Sequence, residues 1–287
     1  MTEQSGNDSA PETTPAATPE GWYPDPSGDH ELRWWDGAQW TENVSDHGKT
    51  STAPITNPTV PVVNKPAEKI QHQVRDQAGL RDAAAAGGGT IFTEPVLVIN
   101  QKVKLIELNN EYAVYDADGN QIAAVRQVGQ SKLKKAARLL TSLDQFMTHS
   151  LQIVDMNGAV LMTVTRPRKV LKSKVEIGDA QGRPIGRVVQ KNAIGKIRFD
   201  LEANGQVIGS LNAENWRAWN FSIRDASGEE VARITKTWEG LAKTLFTTAD
   251  NYVLQISKPI EQPLLSLVVA SALSVDTALK QDARGLG

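Results

Sequence analysis

From residue 91 onward, apolar and polar residues alternate in short runs, the period of strands that bury one face. The runs come in pairs around a turn signal: YAVYDADGNQIAAV, LQIVDMNGAVLMTV, VEIGDAQGRPIGRV, FDLEANGQVIGSL and FSIRDASGEEVARI. Their turn glycines are Gly119, Gly158, Gly182, Gly205 and Gly228, the last four spaced 24, 23 and 23 residues apart. An aspartate opens a type I turn, and glycine takes the left-handed position that closes a bulged hairpin. Each unit is therefore expected to be a β-hairpin. Residues 95–100 and 103–108 add a strand pair, and residues 252–256 a further strand. About a dozen strands result, which points to a closed barrel, because closure removes exposed edges.

Two segments break the alternation. Trp238, Leu241, Ala242, Leu245 and Phe246 share one helical face. Residues 264–279, LLSLVVASALSVDTAL, are apolar nearly all round and follow Pro263, a residue suited to a helix first turn. A helix without a polar face belongs in a core or a membrane. At 1.5 Å per residue this one is about 24 Å long, short of the roughly 20 residues that a span needs. Ala270, Ser271, Ala272 and Ser274 would let walls approach closely. The expected fold is mainly β: a barrel of about twelve strands around its own C-terminal helix.

The front of the chain reads differently. Residues 1–20 are a Pro-, Thr- and Ala-rich tail without enough apolar surface to offset chain entropy. Residues 21–45 hold four of the seven tryptophans. Pro24, Pro26 and Gly28 mark one turn and Asp36-Gly37 another, so a small meander held by aromatics is expected. Residues 46–90 read as a flexible linker, stiffened by Pro54, Pro58, Pro61 and Pro66 and ending in four alanines and three glycines. Within it, residues 69–82 show helical tendency but little apolar face. Residues 91–281 form the barrel unit and 282–287 a tail.

Composition narrows the function. The 287 residues contain no cysteine, which excludes disulfides, thiol nucleophiles and Cys-ligated zinc. The four histidines, His30, His47, His72 and His149, show no metal-ligand spacing. The acidic, polar N-terminus has no apolar h-region, so no secretory signal is expected. There is no Gly-x-Ser-x-Gly elbow, P-loop or His-Glu-x-x-His, so no enzyme, cofactor or metal is expected. Asp116-Ala-Asp118-Gly119 starts like a calcium loop, but glycine follows too early and the twelfth-position Glu is missing, which leaves a hairpin turn.

The formal net charge is only −2, yet it is unevenly spread. Residues 1–92 hold 6 Lys+Arg against 13 Asp+Glu; residues 126–198 hold 15 against 4. Lys132, Lys134, Lys135 and Arg138 fall on an expected helix, 131–140, striped by Leu133, Ala136, Ala137 and Leu140. Arg166, Arg168, Lys169, Lys172 and Lys174 follow the second hairpin. These residues are either a solvated face or a lipid-binding surface, where each cation contributes about 1 kcal/mol against anionic lipid. Nucleic acid is not expected, since no stacking aromatics interleave with the charges.

The motifs GWYPDPSG and LRWWDGAQWT resemble a short Trp-rich domain of unknown function found at the N-termini of many actinobacterial proteins, often membrane-associated ones. They are also similar to a WW module, without its final proline. Trp22, Tyr23, Trp34, Trp35 and Trp40 are then either the core of the module or the lining of a partner-binding groove. The run TWEGLAKTLFTTADNYVLQI, followed by LLSLVVASALSVDT, resembles the C-terminal part of the phospholipid scramblase family, which includes the LURP-one-related proteins and shares the Tubby-like fold. The resemblance rests on Trp238-x-Gly240, Phe246-Thr247-x-Ala249-Asp250 and an apolar helix carrying Asp276.

That resemblance implies a twelve-stranded barrel around a buried helix, an anionic phospholipid as ligand, and phospholipid movement between leaflets. It implies a peripheral place at the inner face of the cell membrane. Animal members carry an acid-rich segment proposed to bind calcium. Here the corresponding stretch keeps Asp250 and Glu261 with little between them, too few oxygens for a strong calcium site. The alternative is a soluble lipid- or ligand-binding scaffold without scrambling activity, whose Trp-rich module recruits a protein partner.

Overall fold

The computed structural model describes residues 19–25, 27, 30–55, 65–81, 87–101, 112–128, 149–167, 174–192, 197–214, 220–237 and 251–273. A four-stranded antiparallel meander comes first: β1 (Gly21–Pro24), β2 (Leu32–Trp35), β3 (Trp40–Asp46) and β4 (Lys49–Thr52). Helix α1 (Ala67–His72) follows and runs on into a π-helical turn, Gln73–Gln77. Twelve strands then build a closed antiparallel barrel: β5 (Val96–Gln101), β6 (Tyr112–Tyr115), β7 (Gln121–Val128), β8 (His149–Asp155), β9 (Val160–Arg166), β10 (Lys174–Gly178), β11 (Pro184–Gln190), β12 (Arg198–Ala203), β13 (Gln206–Ala213), β14 (Asn220–Asp225), β15 (Glu230–Thr237) and β16 (Asn251–Ile256). Each strand pairs with its chain neighbours, and β16 closes on β5 with Val253 opposite Val98. Residues 264–273 form the last helix, α2.

The core sits between α2 and the barrel wall. Leu267, Val268, Val269, Ala270, Ala272 and Leu273 are fully buried and belong to one apolar cluster with the inward-facing Leu97, Ile153, Met162, Leu201, Ile223 and Leu254. The expected enclosed helix is thus present. Its polar groups are satisfied locally: Ser271 Oγ donates to the Leu267 carbonyl at 2.7 Å. The Gln262 side-chain oxygen accepts from Ser266 N at 3.2 Å and Ser266 Oγ at 2.7 Å, capping the helix start. Glycine makes the close approach possible. A Cβ on Gly209 would lie 2.7 Å from the Arg224 carbonyl oxygen and 3.0 Å from a Leu264 methyl. One on Gly186 would overlap the Glu202 carbonyl oxygen and press on Leu267.

All five expected hairpins form, with φ between 76° and 95° at the five turn glycines. Asp116, Asp155, Asp179 and Asp225 each accept, on one carboxylate oxygen, the amide four residues on. The β12–β13 turn departs from the expected aspartate-opened form. It is a two-residue Asn204-Gly205 turn with φ of 50° and 77°, the twist that joins two strands most directly. The five tight turns lie at one end of the barrel, and α2 enters there, as Leu264 beside Gly209 shows. The segments 102–111, 129–148, 168–173, 193–196, 215–219 and 238–250 join strands that all end at the opposite rim; these segments lie outside the described residues. So do the strand expected at 103–108, the helix expected at 131–140 and Asp276; of the helical segment expected at 237–249 only Thr237 is described, and it ends β15 instead.

The stretch expected as a linker carries structure at both ends. β4 extends the small sheet to Thr52, because Arg33 reaches across to the Ala53 and Pro54 carbonyls. Helix α1 packs Ile70 and Val74 on the outward-facing Val96, Val98, Ala113, Tyr115 and Val253. Two apolar residues at i, i+4 are a narrow stripe in sequence, yet they suffice where the wall beneath is itself apolar. Gly119 has no Cβ to collide with Ala67, which would lie 2.7 Å away.

Truncation before residue 264 is expected to abolish cooperative melting, since it removes the centre of the core. Leu267→Ala should cost about 2–5 kcal/mol and Gly186→Ala about 1–3 kcal/mol, both measurable by denaturant unfolding. The Asp225 carboxyl is held below its ordinary value by the Ser227 hydroxyl and by turn amides. A depressed carboxylate stabilises the fold above the unfolded-state value, and that contribution disappears as pH falls through the folded-state value. Asp225→Asn should therefore flatten the acid limb of a melting-temperature profile.

Candidate functional site

Most of the basic residues singled out in the sequence belong to segments between strands rather than to the strands themselves. Lys132, Lys134, Lys135, Arg138, Arg168, Lys169 and Lys172 lie outside the described residues. Arg166 ends β9 and shares the inward face with Met162 and Val164; it is 8% exposed, so it is part of the barrel wall rather than open surface. Lys174 begins β10 on the outer face and pairs with Glu176 at 2.7 Å. The other described cations of the basic stretch are also engaged. Arg183 pairs with Asp179, Arg187 with Glu202 and Lys191 with Asp200, at 2.5 to 2.7 Å. Arg198 donates to Asn212, and Arg126 to Gln152. Asp200 raises the Lys191 ammonium above its ordinary value through its hydrogen bond and charge. Much of the charge excess read from the sequence thus resides in the segments beyond the described strands.

A groove of about 430 Å³ crosses the outer wall over β9–β12. Thr165, Glu176, Arg187 and Glu202 stand opposite one another across four strands. Gly178, Gly182 and Gly205 leave its floor free of side chains. With Lys174 its charges cancel, so it has no preference for anions.

In the N-terminal module the aromatics are not the most buried residues. Trp22 packs edge-to-face on Trp34 at 5.4 Å, Trp35 on Trp40 at 5.3 Å and Tyr23 on Trp40 at 6.4 Å. Tyr23, Trp34, Trp35 and Trp40 are half-buried, and Trp22 is exposed, at 37%. The centre is polar instead: Arg33 Nε donates to Asp25 at 2.7 Å, with both side chains essentially inaccessible. Arg33 also donates to the Thr41, Ala53 and Pro54 carbonyls. Asp25 also accepts from Ser27 and from the His30 amide. At the periphery, burial tends to raise the Asp46 carboxyl, but the His30 ring and the Glu31 amide hold it below its ordinary value. The Gln39 and Ala38 amides lower Asp36 likewise.

The same polar chain continues into the barrel. Gln152 on β8 donates to the Asp25 carbonyl at 3.0 Å, and its oxygen accepts two bonds from Arg126 on β7, at 2.8 and 3.0 Å. Arg126 and Gln152 face outward as a cross-strand pair and are nevertheless buried. The module therefore lies against the β7–β8 wall, at the root of the connection 129–148. This contact joins residues 127 positions apart and is not legible in the local sequence. Its one signal is an Arg and a Gln on the outward face of strands otherwise read as ordinary hairpins.

Among the described residues no group of His, Asp and Glu is placed to hold a metal ion. No helix among them is long and apolar enough to cross a membrane.

Breaking the buried pair by Arg33→Met leaves a desolvated carboxylate and should cost the module about 3–5 kcal/mol. Hydrogen exchange should then show β1–β4 unprotected with the barrel strands unchanged, and adding Asp25→Asn should restore part of the protection.

A family described as Scramblase matches residues 86–279, and one described as Protein of unknown function (DUF2510) matches residues 21–53. Among similar proteins, Altered inheritance rate of mitochondria protein 25 of Saccharomyces cerevisiae is 24% identical over 196 residues, 58% of this chain and 59% of that protein. Phospholipid scramblase 2 of Bos taurus is 23% identical over 213 residues, 66% of this chain and 69% of its own length. Phospholipid scramblase 1 of Rattus norvegicus is 21% identical over 203 residues, 63% of this chain and 58% of its own length. The chain thus spans less than two thirds of the yeast and rat proteins. No solved structure matches it. The Scramblase match runs from just before β5 through the helix that fills the barrel, and the chain belongs to the scramblase family.

Proposed function

We propose that this protein is a non-enzymatic, peripheral member of the scramblase family. It binds anionic phospholipid at the cytoplasmic face of the cell membrane and takes part in phospholipid movement between leaflets. The observation that carries the reading is topological. Up-and-down closure sorts the tight turns to one rim and leaves the strands that flank the basic segments ending together at the other. Lys132, Lys134, Lys135, Arg138, Arg168, Lys169 and Lys172 belong in sequence to the segments that those strands flank, and Lys174 begins the strand after the second of them. The bovine and rat relatives are named phospholipid scramblases, which supports the ligand class.

A second reading is favoured by the filled barrel. With α2 occupying the interior, no lipid path runs through it, so the protein would act as a lipid- or ligand-binding scaffold. Trp22, Tyr23, Trp34, Trp35 and Trp40 would recruit a protein partner, with Trp22 the most accessible ring.

The test is binding to vesicles with and without anionic lipid. Binding should require anionic lipid, need no calcium, and weaken as salt shortens the Debye length to about 8 Å near physiological strength. Reversing Lys132, Lys134, Lys135 and Arg138 to Glu should weaken it by about a hundredfold or more, at roughly 1 kcal/mol per cation lost. Unchanged binding with an intact fold would overturn the assignment of these residues. Lipid transfer between leaflets of reconstituted vesicles separates the two readings.

A further inference from the structure

Three polar side chains form a cross-strand row on the outer wall of the barrel. Thr237 ends β15, Asn251 begins β16 directly opposite it, and Asn100 on β5 stands opposite Asn251. Asn100 follows the same alternation as Val96 and Val98, and Asn251 that of Val253, so the row faces outward beside the wall covered by α1. All three residues are at most 2% exposed. The carboxamide nitrogen and oxygen of Asn100, those of Asn251 and the hydroxyl of Thr237 are buried without a hydrogen-bond partner among the described residues. The two carboxamides do not bond each other despite being register partners. Buried polar groups are nearly always paired, so five such atoms in one row mark a place where a further molecule belongs.

We propose that the Asn100–Asn251–Thr237 row binds a small neutral molecule bearing hydroxyl groups. Two carboxamides and a hydroxyl offer donors and acceptors in comparable number and no net charge. A hydroxyl both donates and accepts, so it pairs with either end of each carboxamide. An ion would favour one end and leave the other unpaired, at the cost of its own desolvation. The wall around the row is apolar: Val98 and Val253 lie two residues along their strands, and Ala113 is opposite Asn100. Polar atoms set in such a wall suit a molecule held by a few bonds and shielded from bulk solvent. Water and the hydroxyls of a polyol share this chemistry.

The experiment uses the full chain and observes the side-chain amide protons of Asn100 and Asn251 by NMR. In buffer alone, both should show cross-relaxation with a long-lived bound water; titrated glycerol should replace those signals with its own if the site accepts a polyol, and leave them unchanged if it is specific for water. Either result supports the site. The double variant Asn100→Leu with Asn251→Leu should remove water and glycerol signals from the neighbouring Val98 and Val253 methyls. Should that variant fail to fold, Thr237→Val, which deletes one partner and keeps the shape, should shorten the residence of the bound molecule at least severalfold. Absence of any long-lived water or glycerol signal in the unaltered protein would overturn the proposal. So would signals that persist unchanged in the folded variant.

Discussion

The structure depends on one requirement: a helix with no polar face must be surrounded on every side. Residues 264–273 meet it by filling a barrel whose inward residues are mostly aliphatic, with Tyr112, Phe199, Phe221 and Tyr252 among them. An open sheet would cover one face of such a helix and leave the rest in water, at about 25 cal/mol for each Å² of apolar surface. Closure of β16 on β5 removes that exposure and the sheet edges together. Two strand positions that face the helix, Gly186 and Gly209, give up their side chains so that it can approach. The serines of the helix bond within its own turn or to Gln262, so no buried hydroxyl on it is left wanting.

Closure by simple hairpins has a second consequence. Because every strand pairs with its chain neighbours, the connections alternate between the two ends. The short, aspartate- and glycine-closed turns gather at the end where the helix enters. The strands that flank the longer connections end at the other. On the walls, Arg183, Arg187 and Lys191 are neutralised by nearby carboxylates.

The N-terminal module is tied to this body by polar contacts more than by its aromatics. Asp25 and Arg33 are almost wholly removed from water, a state tolerable only because each is multiply bonded. Gln152 connects that pair to Arg126 on the barrel wall. The Gln152 bond to the Asp25 carbonyl is directional and joins the module to the β8 strand. The tryptophans around this centre leave aromatic surface on the module, Trp22 most of all.

The sequence alone determined the five hairpins and four of their turns, since alternation and Asp-x-x-Gly act over a few residues; the Asn204-Gly205 turn took a tighter form. It determined the enclosed helix too, because an apolar face all round admits few environments. Tertiary structure decided the rest. Ile70 and Val74 make too narrow a stripe to announce a packed helix, and only the apolar wall under them makes it one. Arg166 reads as one more surface cation, and only the register of β9 turns it inward. Asn100, Asn251 and Thr237 are 137 or more residues apart where the chain separates β5 from β15 and β16, so no local pattern links them. Barrel closure sets them side by side, because long-range register follows from which faces must be buried together and not from the residues that flank each strand.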